Sequence, residues 1–337
     1  MKFFDLELAK ASYTLVKEET LLGLKPDEHL LICADTETDR MVVEAAARAA
    51  HLLGSKVAVI WYAAPPDIGE KANVPKPVAA AMSNTDVMVE FSRKYLLFSK
   101  AWKNAMENGV RYLGLWGMDV GMMVRLIGNV DWAKMIELGK ELVQVSKKVD
   151  SMKITSSAGT NVAFKLDAHR PFIRSEVGGG LAGEIAWAPV EETVGGTIVL
   201  DGAIFPPEIG ILHNPIELKV EKGRIVSIAG GAEAKKLERW LASWHDDSMY
   251  NIAHFSYGFN PGAKLSDKIL EADRVFGSVV VGIGYQREYY KGKGGVAASH
   301  SDGTMQNPTI LVGEDYLEKE GKYVHPRLAP ISKALGF

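Results

Sequence analysis

The residues best suited to chemistry sit in Ala298-Ser299-His300-Ser301-Asp302-Gly303. In an extended chain, residues i and i+2 project from one face, so His300 and Asp302 can offer an imidazole and a carboxylate to a single ion. An H-x-D pair alone equally suits a loop histidine capped by a neighbouring aspartate. A further histidine, His254, lies among apolar and aromatic residues in Ala253-His254-Phe255-Ser256-Tyr257. Its plain reading is a core histidine with a satisfied hydrogen bond. Joined to His300 and Asp302, it completes a two-histidine, one-carboxylate set. Such a facial triad leaves coordination positions open, as in non-haem Fe(II) oxygenases, and zinc competes for the same borderline donors.

Glu184 follows Gly183 and precedes the apolar run Ile185-Ala186-Trp187. Partial desolvation there would suit a carboxylate for general acid or base work, and a solvated turn carboxylate fits the same residues. Tyr285, in Gly282-Ile283-Gly284-Tyr285-Gln286, either donates a hydrogen bond to an oxyanion or simply packs. Trp187, Phe255, Tyr257 and Phe337 are candidates to pack on an aromatic ring, although each is more simply core or surface. Gly178-Gly179-Gly180 and Gly292-Lys293-Gly294-Gly295 match neither Walker A nor a G-x-G-x-x-G that follows a strand and opens a helix.

Composition narrows the chemistry further. The 337 residues carry a formal charge of −3, with 47% hydrophobic and 24% charged residues, as in an ordinary globular protein. The single cysteine, Cys33, excludes an internal disulfide and cysteine-based zinc or iron–sulfur sites. Any metal must therefore be held by the eight histidines and the carboxylates, with a tyrosine as a further candidate. Interleaved charges give no footprint for nucleic acid, so a small molecule or peptide is the better substrate class. No uncharged apolar run reaches the ~18 residues of a membrane span. The start Met1-Lys2-Phe3-Phe4-Asp5 is acidic where a secretory signal would be apolar, so the expected location is cytoplasmic.

The elements that must hold these residues read as an α/β chain in two parts. Residues 1–150 alternate strand and helix, the pattern of a mostly parallel sheet covered by helices. Strands are expected at His29–Ala34, Val57–Tyr62, Asp86–Phe91 and Arg111–Trp116. Helices are expected at Thr36–Leu53, capped by Asp35 or Thr36, and at Phe98–Asn108 and Asp131–Val149. Residues 151–337 are β-rich and Gly-rich, an α+β domain that carries the metal candidates. A hairpin joins Met152–Ser157 to Asn161–Asp167, and Thr197–Leu200, Ile216–Glu221 and Arg224–Ala229 are strands, the last two linked by Lys222-Gly223. Ala232–Ser243 is a helix.

The succession Gly183-Glu184-Ile185-Ala186-Trp187-Ala188-Pro189, Gly196-Thr197, Glu221-Lys222-Gly223, Ala253-His254 and His300-Ser301-Asp302 resembles the C-terminal half of the aminopeptidase T family of metallopeptidases. Phe98–Asn108 with Gly109-Val110-Arg111 resembles a segment of that family's N-terminal domain. In the peptidases, the resemblance implies, a two-metal site uses glutamates at the positions of Glu184 and His254, a histidine at Ser278, a tyrosine like Tyr285 and the H-x-D pair. Here His254 and Ser278 depart from that pattern, which should remove the second metal and its water-activating clamp.

His254, His300 and Asp302 are instead similar to the iron ligands of the 2,5-dihydroxypyridine 5,6-dioxygenases, a branch on the same fold. That likeness implies an Fe(II) enzyme that opens a hydroxylated aromatic ring with O2, giving an N-formyl amide acid from 2,5-dihydroxypyridine. Glu184, Tyr285 and Ser278 would line its pocket, with Glu184 handling a proton and Tyr285 orienting a polar group, in a homo-oligomer. The competing expectations are a metalloaminopeptidase with an altered ligand set and an inactive metal-binding relative.

Overall fold

The computed structural model describes residues 3–175, 179–207 and 209–337, so Gly178 lies outside the described residues. The chain divides into two compact units, Met1–Val130 with Ser175–Ala182, and Asp131–Arg174 with Gly183–Phe337. Sequence texture changes at Asp150, yet the helix before it, Trp132–Ser146, belongs to the second unit, where its Gly139 lies against Phe259 and Ile185. No helix of the described residues is long and apolar enough to cross a membrane.

In the first unit, α1 (Phe3–Lys17) precedes β1 (His29–Asp35), α2 (Arg40–Leu52), β2 (Lys56–Tyr62), α3 (Lys76–Met82), β3 (Val87–Glu90), α4 (Lys100–Glu107), β4 (Arg111–Gly114) and α5 (Val120–Met123). The four strands form a parallel sheet in the order β2-β1-β3-β4. Central β1 is buried from Leu30 to Asp35, as a strand covered on both faces must be. Helix α2 starts later than its sequence suggests. Asp39 caps it by accepting from the Met41 amide, because Asp35 already accepts from the amides of Glu37 and Lys94 and the Thr38 hydroxyl. Ser99 caps α4, so Phe98 stays outside the helix.

The second unit opens with α6 (Trp132–Ser146), β5 (Ser151–Thr155) and β6 (Asn161–Lys165), the expected hairpin. Short β7 (Ile173–Arg174) and β8 (Glu184–Trp187) follow, then β9 (Gly195–Leu200), β10 (Ala203–Phe205) and β11 (Gly210–Ile211). Next come β12 (Ile216–Glu221), β13 (Arg224–Gly230), α7 (Ala232–Ser243), β14 (Ile252–Gly258) and α8 (Ile269–Ala272). The chain closes with β15 (Ser278–Gly284), β16 (His300–Gln306), β17 (Thr309–Val312), β18 (Asp315–Lys319), β19 (Lys322–Tyr323) and α9 (Ala329–Ala334).

Two antiparallel sheets result, seven strands ordered β11-β10-β16-β15-β14-β8-β7 and eight ordered β13-β12-β9-β6-β5-β17-β18-β19. Their facing sides are joined by aromatic contacts. Phe255 of β14 stacks on Phe164 of β6 at 4.4 Å between centroids, and within the seven-stranded sheet Trp187 of β8 lies 4.3 Å from Tyr257 of β14.

Glu318 of β18 is fully buried, and among the described residues neither carboxylate oxygen has a hydrogen-bond partner. Burial therefore pushes its carboxyl well above the ordinary value of 4.5. The folded chain keeps a proton that the unfolded chain releases, so this group's contribution is present at acid pH and is lost as pH rises, at up to about 1.4 kcal/mol per pH unit. Urea unfolding between about pH 5 and 8 should show a shallower loss of stability for Glu318→Gln than for the wild type, and an unchanged slope would contradict a protonated Glu318.

Candidate metal centre

Strands β14, β15 and β16 are neighbours, and their register sets His254 opposite Gly282 and Gly282 opposite Asp302. With strands about 4.8 Å apart, side chains from the two outer strands can meet above the middle one only if nothing stands there. Gly282 meets that condition, since a Cβ on it would fall within the imidazole of His254. His300, two residues before Asp302 and opposite Gly284, projects from the same face.

The three side chains converge on one point. His254 Nε2 lies 3.2 Å from His300 Nε2 and 3.2 Å from Asp302 Oδ1, and His300 Nε2 lies 3.1 Å from Asp302 Oδ1. Among the described residues this is the one group of three or more histidine, cysteine or acidic side chains placed to hold an ion. His300 Nδ1 is 2.8 Å from the Tyr285 carbonyl, which draws the proton to Nδ1 and leaves the Nε2 lone pair facing the cluster. Burial works to raise the Asp302 carboxyl, but His300 and His254 beside it hold it far below the usual carboxylate range. Two imidazole nitrogens and a carboxylate oxygen crowded this closely fit a cation, and the donor set contains no thiolate.

Glu184 and Ser278 stand in a second row on the same face, Glu184 opposite Gly258 and Gly258 opposite Ser278. That row is four residues along β14 from His254, roughly 13 Å at the rise of an extended strand. Glu184 Oε2 lies 3.3 Å from Arg274 Nη2, and the Ser278 hydroxyl donates to the Val275 carbonyl at 2.8 Å. Tyr285 meets the cluster through its carbonyl, while its ring lies 5.0 Å from the Arg287 guanidinium. Trp187, Phe255 and Tyr257 are core residues between the two sheets, because alternation along β14 turns Phe255 and Tyr257 away from His254. Phe337 is half-exposed and stacks on Phe276.

Three contributors escaped the sequence reading. Gly282 was visible as a glycine inside a valine-rich strand, which signals a close approach without saying of what. Tyr290 is buried with its ring centroid 5.3 Å from that of His254. Arg274 is buried beside Asp273, whose carboxyl is pushed up by burial and by the charges of Asp302 and Glu184. Neither Tyr290 nor Arg274 belongs to a local motif that would mark it.

A family model for 2,5-dihydroxypyridine 5,6-dioxygenase (NicX) matches residues 12–325. A Pseudomonas putida protein of that name is 38% identical over 77 residues, 23% of this chain; the aligned stretch spans only 22% of that relative's length. The solved 2,5-dihydroxypyridine dioxygenase of Pseudomonas putida superposes with a TM-score of 0.75 at 20% identity, covering 96% of this chain and 98% of that one. AmpT from Thermus thermophilus gives a TM-score of 0.65 at 14% identity, with 96% and 100% covered. At these identities the two structures speak for the fold alone.

Replacing Gly282 by alanine should drive the His254 ring off the cluster. Isothermal titration with Co(II) is expected to show binding weaker by about 10-fold or more in Gly282→Ala. Unchanged affinity in the folded variant would contradict the convergence over β15.

Proposed function

The chain belongs to the 2,5-dihydroxypyridine 5,6-dioxygenase family, and from that premise we propose that it is a mononuclear Fe(II) ring-cleaving dioxygenase. Its substrate in this reading is 2,5-dihydroxypyridine or a related hydroxylated aromatic, with O2 as the second reactant. The observation that carries the reading is the donor set itself. His254, His300 and Asp302 supply two imidazoles and one carboxylate within 3.2 Å of one another, and such a set leaves part of an octahedral sphere free. Bound there, iron would supply open positions for a substrate hydroxyl and O2 and a path for electrons between them.

The remaining work falls to the protein's own groups. The Tyr285 carbonyl holds His300 in the tautomer that presents Nε2. Tyr290, buried against His254, provides a flat wall that keeps water from that side of the site. We assign to Glu184, in the row along β14 from the ligands, the handling of a substrate or intermediate proton at the end of the ring away from the three ligands. Arg274, 3.3 Å from Glu184, is a desolvated cation that favours negative charge on the substrate once that proton has left. Ser278 lies in the Glu184 row and would border the same pocket.

Protein prepared without oxygen should bind one iron per chain and consume O2 when 2,5-dihydroxypyridine is added. His254→Ala should lose both, with O2 uptake down by about 100-fold or more, beyond what loss of a supporting hydrogen bond alone produces. Two zinc or cobalt ions per chain together with release of amino acids from peptides would overturn the dioxygenase reading in favour of a peptidase. Metal binding without either activity would leave an inactive relative.

A further inference from the structure

The turn Gly292-Lys293-Gly294-Gly295 packs against a single buried amide, that of Gln286. Gln286 Oε1 accepts from the Gly294 amide at 2.8 Å, Gln286 Nε2 donates to the Ala253 carbonyl at 2.7 Å, and its own backbone amide donates to Gly295 at 3.3 Å. A Cβ on Gly292 would collide with Gln286 Oε1 and Glu191 Oε1, and one on Gly294 would come within 2.9 Å of Gln286 Cδ. The glycines are there for this close approach. Glu191 anchors the turn from the other side. It accepts from the Lys293 amide at 2.7 Å and pairs with buried Arg170 at 2.9 Å, while Arg170 also donates to the Pro189 carbonyl.

One end of the Gln286 side chain holds the backbone beside His254, the other holds the Gly294 amide, and the residue's own main chain adjoins the group that orients His300. Ala253 immediately precedes His254, and Gln286 immediately follows Tyr285, whose carbonyl orients His300. We infer that Gln286 is a positioning residue for both histidines: its amide ties β14 to the chain leaving β15 and so fixes the 3.2 Å approach of His254 Nε2 to His300 Nε2. This rests on the reading of the two histidines as metal ligands. An amide is required because one end must donate to a carbonyl while the other accepts from an N–H. Gln286→Glu keeps the acceptor and turns the donor into a second acceptor facing the Ala253 carbonyl. Gln286→Met keeps the approximate volume and removes both bonds.

The test is a Co(II) titration of the full-length, chelator-treated protein, read by visible absorption, with thermal unfolding of the metal-free chains alongside. Both variants should lose some metal-free stability to the unpaired Ala253 carbonyl, and when folded they should bind Co(II) about 10- to 100-fold more weakly and with an altered ligand-field spectrum, which lost stability alone does not produce. Gly292→Ala, which pushes on the same amide from outside, should shift the spectrum in the same way. Should Gln286→Met fail to fold, Gln286→Glu and Gly292→Ala still decide the matter. Wild-type affinity and spectrum in the folded variants would overturn the role of Gln286. Wild-type Co(II) binding retained by His254→Ala would instead overturn the ligand reading beneath it.

Discussion

Because Gly282 has no side chain, the imidazole of His254 can lie across β15 and meet Asp302 from the far strand. Every other feature of the cluster follows from that gap. His300 arrives on the same strand as Asp302 at a spacing of two, so it needs no separate element to bring it in. Its orientation is set by the Tyr285 carbonyl, three residues beyond Gly282 in the same chain segment. The middle strand thus supplies the opening through which the ligands meet, and the residue just after it supplies the group that turns one of them.

The strands can hold these positions because their other face is filled. Along β14, His254 faces the cluster while Phe255 and Tyr257 face the other way, where Phe255 stacks on Phe164 of the second sheet and the Tyr257 hydroxyl lies 2.9 Å from Ser146 of α6. On β16, Gly303 lies against Leu200 while Asp302 points the other way. A polar cluster is costly to bury, and its geometry survives only if rigid packing and satisfied hydrogen bonds over-determine it. Here the aromatic layer provides the packing, and Gln286, with Glu191 and Arg170 behind it, provides the hydrogen bonds.

What was legible in the sequence was local. The H-x-D pair could be read because the two-residue period of a strand needs no tertiary information, and Ala232–Ser243 forms a helix with the bounds its pattern suggests. The pairing of His254 with these residues is a matter of register across three strands, which side-chain order alone does not contain. Family resemblance supplied it instead. The cap of α2 is Asp39 rather than the expected Asp35 or Thr36, and Asp35 is engaged instead by Lys94, a residue 59 positions away. Tyr290 and Arg274 were invisible for the same reason: each gains its meaning from a neighbour brought in by the fold. The glycines of 292–295 looked like a failed phosphate loop until Gln286 and Glu191 were found against them.

A crystal grown without oxygen and soaked in Fe(II), with anomalous scattering recorded at the iron edge, bears most directly on the cluster. The expected result is one peak per chain at about 2.1 Å from His254 Nε2, His300 Nε2 and Asp302 Oδ1, with its remaining coordination held by solvent. Two peaks bridged by Glu184, or a single peak away from these three atoms, would contradict a mononuclear facial triad.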